Sequence, residues 1–198
     1  MQTKIQRASE RGNANFGWLN SNHSFSFGHF YDATKMNFGA LRVLNDDIVT
    51  GGQGFGEHGH DNMEIVSIPL RGSLAHKDST GTDGIIQTGD VQIMSAGSGI
   101  KHSEFNASKT EEVNFLQIWV VPKQKNIKPR YEQKTFSVAH RKNKWQTVVS
   151  PDKNSDSVWI NQDAVFSLAH PEKDSVITYK NKFSGNAFIF LSSKVMQK

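Results

Sequence analysis

A succession of short apolar runs constrains the fold of this chain more than any other feature of its sequence. The runs are rich in Val, Ile, Phe and Trp, and they are separated by Gly, Asp, Asn and Ser. Such runs, bounded by turn-forming residues, are typical of β-strands. The sequence has no window of 12 or more residues with the period of an amphipathic helix. We therefore predict an all-β protein of the barrel or sandwich type, with few and short helices.

The predicted strands fall into two groups along the chain. The first group comprises Gly39–Val43, Met63–Leu70, Ser73–Asp78, Ile85–Gln87, Asp90–Met94, His102–Phe105 and Phe115–Val121. The second and shorter group comprises Thr135–Ala139, Thr147–Ser150, Val158–Ile160, Val165–Ala169, Ser175–Tyr179 and Ala187–Leu191. Turn signals separate the strands, and Asn45-Asp46-Asp47 is interpreted as one of them. The sequence thus predicts two β-modules, of which the second has too few strands to close by itself.

A basic segment lies between the two groups of strands. Eight of the Lys and Arg residues fall between Lys123 and Lys144, in a chain with a formal net charge of +4. A nucleic-acid-binding surface would interleave such charges with stacking aromatic residues or place them on one helix face. Here they share the segment with Pro122 and Pro129, which favours a solvated linker and no nucleic-acid partner. The predicted division is 1–122 for an N-terminal domain, 123–134 for the linker and 135–198 for a C-terminal domain.

The composition excludes several classes of protein. The chain has no cysteine, which excludes disulfides, thiolate zinc sites and cysteine nucleophiles. No run approaches the roughly 20 apolar residues of a membrane-spanning helix, so we expect no membrane partner. The first residues have no apolar segment typical of a signal peptide, which favours a cytoplasmic location.

Two short polar motifs carry the candidate chemistry. His58 and His60 follow a glycine-rich run, and His102 and Glu104 follow the run Gly97-Ser98-Gly99. Residues i and i+2 of a strand project to the same face, so each pair can point at one centre. Two such strands around one cavity offer three imidazole nitrogens and one carboxylate oxygen. The combination predicts a site for one divalent metal, although each motif alone is more often a surface feature.

The residues leave two questions open at this centre. Glu64 lies four residues after His60, so in an unbroken strand both side chains would project to the same face. Either Glu64 or Glu104 is therefore a candidate for the oxygen ligand. The other carboxylate would then lie beside the metal and accept a hydrogen bond from a histidine. His76 is a further candidate for the cavity wall, and an ordinary half-exposed strand residue is an equal alternative.

Several separate blocks, within about residues 5–190, resemble the pirin family, in particular the bacterial pirin-like quercetin dioxygenases. The blocks that contain the candidate histidine and carboxylate residues are His58-Gly-His60-Asp-Asn-Met-Glu64, Leu74-Ala-His76-Lys-Asp78-Ser and Gln92-Ile-Met-Ser-Ala-Gly-Ser-Gly-Ile-Lys-His102-Ser-Glu104. Further matches are Arg11-Gly, His23-Ser-Phe25-Ser-Phe27, Asn37-Phe-Gly39, Leu116-Gln-Ile-Trp119-Val-Val-Pro122 and Pro129-Arg-Tyr-Glu-Gln133. The first motif also looks like one half of the two-part cupin signature.

The resemblance implies a bicupin whose N-terminal barrel holds the metal through His58, His60, His102 and Glu104, with Glu64 beside it as a second-shell residue or base. Iron(II) is the implied metal, and other transition metals are alternatives. The chain departs from the family at Ile68-Pro69, where a proline suits a strand edge or a bulge. It also lacks the segment with which family members close the second barrel, so we expect an incomplete C-terminal cupin barrel.

The implied activity is that of a dioxygenase that opens a flavonol such as quercetin with O2, releasing carbon monoxide. Glu104 is then ligand and base, and Glu64 is a second candidate for the base. Aromatic side chains near the mouth, among Phe25, Phe27 and Phe55, are candidates to stack on a flat substrate. Two alternatives stay open: a non-catalytic metal-binding regulator that contacts a protein partner, and a cupin enzyme with another substrate class.

Overall fold

The computed structural model of the protein describes residues 4–181 and 185–192. Within these ranges the strands are joined by turns and by two short 3-10 helices, Ala8–Glu10 and Val138–Arg141. In chain order the strands are β1 Gly12–Asn15, β2 Leu19–His23, β3 Leu41–Val49, β4 Gly54–His60, β5 Glu64–Arg71, β6 Ser73–Asp78, β7 Asp83–Gln87, β8 Asp90–Ser95, β9 Ile100–Asn106, β10 Val113–Val120, β11 Arg130–Thr135, β12 Gln146–Ser150, β13 Val158–Trp159 and β14 Phe166–Leu168. The predicted all-β class is confirmed. In the described part of the chain, neither helix has the length and apolarity needed to cross a membrane.

Two antiparallel sheets form the N-terminal barrel. The larger sheet has the strand order β1-β2-β3-β10-β5-β8-β11, and the smaller one has the order β4-β9-β6-β7. Apolar side chains fill the space between the sheets: Leu19, Val49, Leu74, Ile86, Val113 and Phe115 at one end, and Ile65, Met94, Ala96 and Ile100 at the other. Because strand residues alternate between faces, the residues next to these point away from the barrel interior.

The C-terminal residues cover the outer face of the larger sheet. They form a three-stranded sheet in the order β13-β12-β14, in which β12 pairs parallel with β13 and antiparallel with β14. The shared core contains Val66, Ile93 and Ile118 from the larger sheet and Val148, Val158 and Ile160 from the C-terminal part. Burying each such side chain contributes about 1.5–3 kcal/mol. Because β5, β8 and β10 are covered on both faces, their apolar runs are nearly continuous.

Part of the segment interpreted as a linker is a strand. Residues Arg130–Thr135 form β11, which pairs with β8 from Arg130↔Ser95 to Thr135↔Asp90 and supplies the edge of the larger sheet. The sequence Arg-Tyr-Glu-Gln-Lys-Thr has no apolar alternation, so the pattern gave no strand signal there. The domain boundaries at residues 122 and 135 stay predictions.

The interpretation of Asn45-Asp46-Asp47 as a turn is wrong. All three residues are buried in the middle of β3. The two carboxylates find partners on neighbouring strands: Ser21 Oγ donates to Asp47, and Asn114 Nδ2 donates to Asp46 Oδ1 at 2.8 Å. Polar residues that are buried and paired within a sheet have the same sequence pattern as a turn, which explains the error.

The described residues of the C-terminal part form fewer strands than predicted. Strands β12, β13 and β14 match three predictions, whereas the predicted strand Thr135–Ala139 overlaps the 3-10 helix, and neither Ser175–Tyr179 nor Ala187–Leu191 forms a strand. The prediction for Pro69 is confirmed. The β5–β10 register shifts between Asn114 and Phe115, opposite Pro69, and the β5–β8 ladder has ended by then.

Candidate metal centre

The pairing of β4 with β9 brings the two polar motifs together. His58 lies directly opposite His102 in the register, and His60 lies two residues further along β4. The ring centroids are 4.4 Å apart for His58 and His102, 4.8 Å for His58 and His60, and 5.0 Å for His60 and His102. The nearest nitrogens of His60 and His102, both Nε2, are 3.1 Å apart. The three imidazoles therefore converge on one point at the rim of the barrel.

A glycine permits the close contact of these two strands. A Cβ atom on Gly54 would lie 2.4 Å from the backbone oxygen of Glu104 and 2.4 Å from the Cα of Phe105. Any side chain there would force β4 away from β9. The glycine-rich entry to the first motif thus has a direct structural reason.

Two histidines of this cluster, His60 and His102, are held in the neutral form at pH 7. Burial, together with the neighbouring His58, lowers the pKa of His60 to about 4 and that of His102 to about 3. A neutral imidazole has one nitrogen with a free lone pair, which is the form that binds a metal. One nitrogen from each of the three rings lies within 4.8 Å of the other two, which fits a single ion.

Glu104 is more deeply buried than the His58 and His60 imidazoles. Its side chain is buried, and its two oxygens accept hydrogen bonds from Ser67 Oγ at 3.0 Å and from Gln117 Nε2 at 2.7 Å. Burial raises the pKa of this carboxyl above its usual range, while those hydrogen bonds and the nearby histidines partly oppose the shift. Glu104 forms a second potential ligand group with His76 and His102, again with the ligand atoms within 4.8 Å.

A row of polar side chains faces the histidines from the larger sheet. Its members are in register on consecutive strands and therefore share one face: His23, Asn45, Gln117, Ser67, Gln92 and Gln133. Ser67 and Gln117, in the middle of the row, donate the hydrogen bonds to Glu104. Gln92 is buried and neither of its amide atoms has a hydrogen-bond partner among the described residues. The barrel interior thus has hydrogen-bonding capacity beyond what its own side chains use.

The predicted position of Glu64 beside the metal is wrong. Glu64 and Ser67 are three residues apart on a regular stretch of β5, so they point to opposite faces, and Ser67 faces the centre. Glu64 Oε2 accepts hydrogen bonds from Ser95 Oγ at 2.9 Å and from the backbone N–H of Asn161 at 3.1 Å. The carboxylate therefore joins the barrel to the C-terminal part. The prediction assumed one unbroken strand from His60 to Glu64. The chain instead bends between them at Asn62, where φ is 44°, so the alternation of side chains does not continue from β4 into β5.

His76 lies in the wall of the centre, one of the two alternatives that the sequence left open. Its side chain is buried, and its ring lies 5.4 Å from that of His102 and 4.8 Å from that of Tyr131. Its Nε2 forms a hydrogen bond of 3.0 Å with Asp78 Oδ2. Both residues belong to the motif Leu74-Ala-His76-Lys-Asp78-Ser.

The aromatic residues at the centre are partly different from those expected. Phe27 is near it, packed at 5.4 Å against Trp119, whose ring in turn lies 5.0 Å from that of His60. Phe25 belongs to the apolar core on the other side of the larger sheet, and Phe55 packs against Trp18. Trp119 was missed as a site residue. Trp119 follows Gln117 by two residues on one strand, so both side chains project to the same face, and this spacing was the available signal.

A β-barrel with three clustered imidazoles and a buried carboxylate on adjacent strands defines a metal-binding barrel of the cupin class, with a donor set that suits a divalent ion. The Pirin family profile matches residues 4–120, and the profile described as quercetinase C-terminal cupin domain matches residues 147–193. The chain belongs to the pirin family. The resemblance noted in the sequence, and the cupin fold that it implied, are confirmed.

The curated relatives reported below are named quercetin 2,3-dioxygenase or putative quercetin 2,3-dioxygenase. The chain is 48% identical to the quercetin 2,3-dioxygenase of Escherichia coli (strain K12) over 159 residues, which cover 80% of this chain and 68% of that protein. It is 36% identical to a putative quercetin 2,3-dioxygenase of Zymomonas mobilis over 186 residues, 93% of this chain and 79% of that protein.

Solved structures agree with the sequence comparison. The crystal structure of YhhW from Escherichia coli matches with a TM-score of 0.76 and 48% identity. The match covers 79% of this chain and 66% of that one, so the chain spans somewhat less than two thirds of that structure's length. A second crystal structure, of YhhW in complex with nickel(II), matches with a TM-score of 0.75.

Proposed function

We propose that this protein is a metal-dependent dioxygenase that cleaves a flavonol such as quercetin with O2. The observation that carries the proposal is the convergence of the His58, His60 and His102 imidazoles at the barrel rim, beside the buried carboxylate of Glu104. The name quercetin 2,3-dioxygenase, borne by the relative at 48% identity, supports this reaction class.

The proposed ligands of the single divalent ion are His58, His60, His102 and Glu104. The lowered pKa values of His60 and His102 leave both rings neutral at pH 7, and Glu104 is fixed by two hydrogen bonds. Three nitrogens and one oxygen leave positions open on an ion of this kind, in contrast to a closed structural site. We propose iron(II) as the metal, because nitrogen and carboxylate donors with open positions suit it; nickel and other transition metals are alternatives.

A bound divalent ion would supply Lewis acidity towards a chelating oxygen and coordination positions for substrate and O2. The chain supplies the rest. Burial raises the pKa of Glu104, so its carboxylate is a stronger proton acceptor than an exposed one and suits the role of base for the flavonol hydroxyl. Ser67 and Gln117 orient that carboxylate. Trp119, which is adjacent to His60, and Phe27, which packs against Trp119, offer an apolar wall for a planar ring.

Oxygen uptake by the iron(II)-loaded protein tests this proposal. We expect quercetin-dependent O2 consumption that is lost in His102→Ala, which removes a ligand, and kept in His140→Ala, which changes an exposed histidine of the 3-10 helix. Metal binding without O2 uptake on quercetin or any other chelating phenol would overturn the enzymatic proposal. That result would favour the alternative, a metal-binding regulator with a protein partner.

A further inference from the structure

Among the described residues, five donor side chains surround the centre, and the proposed function uses four of them. The fifth, His76, is buried and belongs with His102 and Glu104 to a potential ligand group that lies deeper than the cluster at the rim. His102 is common to both groups. The centre therefore has an outer group, His58 with His60 and His102, and an inner group, His76 with His102 and Glu104.

The surroundings of His76 prepare it to bind a metal. Its Nε2 is hydrogen-bonded to Asp78 Oδ2, and Asp78 is fixed in turn by Thr80, whose backbone N–H and hydroxyl donate to Oδ1 at 2.8 and 2.6 Å. A carboxylate oxygen only accepts, so Nε2 is the donor in this hydrogen bond, and Nδ1 is the ring nitrogen left to bind an ion. The Nδ1 atom is buried and has no hydrogen-bond partner among the described residues. Metal-binding histidines characteristically donate their other ring N–H to a carboxylate in this way.

We propose that His76, His102 and Glu104 form an inner metal position, alternative to the outer one. Two imidazoles and a carboxylate are a donor set that binds divalent first-row transition metals and leaves several positions open. Both groups use His102, and one imidazole nitrogen binds one ion, so the two positions exclude each other and the protein holds one ion. The inference rests on metal binding as part of the proposed function, and it does not depend on the substrate.

Cobalt(II) binding to the metal-free protein tests the inner position. We expect one ion per chain in the wild type, and little change in affinity in His76→Ala alone. His58→Ala disrupts the outer group, so it should bind one ion more weakly, by at least about tenfold. In that background, adding His76→Ala should lower the affinity by at least about a further tenfold. Adding His140→Ala instead, at an exposed position, should change nothing.

A second variant guards against a folding defect from the loss of a buried ring. Asp78→Asn preserves the size of the side chain, but its amide can donate to His76 Nε2 and so favours the tautomer with a protonated Nδ1. In the His58→Ala background it should weaken cobalt(II) binding as His76→Ala does, and alter the cobalt absorption spectrum.

The outcomes separate the two proposals. A wild-type protein that binds no cobalt(II) would refute the proposed function together with the inner position. A wild-type protein that binds one ion, combined with a folded His58→Ala variant that binds none, would overturn the inner position alone. The same conclusion would follow if His76→Ala and Asp78→Asn had no more effect in that background than His140→Ala.

Discussion

Removal of the Glu64 carboxylate should weaken the fold and leave the metal centre intact. Glu64 Oε2 accepts hydrogen bonds from Ser95 Oγ and from the backbone N–H of Asn161, and both donors are in a buried environment. In Glu64→Ala both donors lose their acceptor. In Glu64→Gln the amide oxygen can still accept from both, so this variant is the matched control.

The magnitude follows from these two bonds. A buried donor left without a partner costs about 1–3 kcal/mol, so the two together cost about 2–6 kcal/mol. The substitution also removes Glu64 Oε1, a buried oxygen without a hydrogen-bond partner in the described structure, which offsets part of this cost. We expect the free energy of unfolding to fall by about 2–4 kcal/mol in Glu64→Ala and by less than about 1 kcal/mol in Glu64→Gln.

Urea denaturation of the metal-free protein, followed by tryptophan fluorescence, measures the stability, and cobalt(II) titration measures the metal affinity. Both variants should bind the metal as the wild type does. The reasoning is refuted if Glu64→Ala retains wild-type stability and loses metal affinity, because Glu64 would then lie at the centre and not on the opposite face of β5.

Three further changes test other parts of the structure. His58→Ala should lower metal affinity in equilibrium dialysis by at least about tenfold, and an unchanged affinity would refute its role as a ligand. Burial raises the pKa of Asp47 from 3.8 to about 7, so its contribution to stability is lost as the pH rises through that interval. Asp47→Asn should not show this loss of stability with rising pH. Denaturation midpoints that change with pH in the same way in the variant and the wild type would contradict the assignment to Asp47. Gly54→Ala should lower both the melting temperature and the metal affinity, because its Cβ would collide with the backbone of Glu104. Gly56→Ala, whose Cβ meets open space, should alter neither, and equal effects of the two substitutions would argue against the close strand contact.

The local part of the site was predictable from the sequence because strand alternation is a local rule. Within β4 and within β9 the i, i+2 spacing holds, and the antiparallel register then sets His58 opposite His102. The rule does not hold between two different strands. Between His60 and Glu64 the chain leaves one sheet and enters the other, so the direction of the Glu64 side chain does not follow from that of His60.

Polar strands were the main source of error in the fold. Strands β1, β2 and β11 contain few apolar residues, and Asp46 and Asp47 on β3 have the composition of a turn. Their burial depends on hydrogen bonds to distant parts of the chain, such as the one between Asn114 and Asp46. No window of the sequence contains both partners, so only the folded barrel reveals why these residues belong to strands.

The inner ligand group was hidden for a similar reason. His76 shows in the sequence only as a polar residue on a strand, since its partner Asp78 and its neighbour Tyr131 are ordinary choices at such positions. The β6–β9 pairing sets His76 opposite Glu104, and β11 adds Tyr131 from the segment that was read as a linker. The centre is therefore assembled from both sheets, and its full set of donors follows from the topology.

The central claim is that His58, His60, His102 and Glu104 converge on one ion inside the N-terminal barrel. Anomalous diffraction from crystals of the full chain grown with cobalt(II) tests it most directly. We predict one strong peak, at about 2.0–2.2 Å from a nitrogen of each of the three histidines and from an oxygen of Glu104. A protein whose ordered metal lies elsewhere, or whose four side chains point away from any shared peak, would contradict the account.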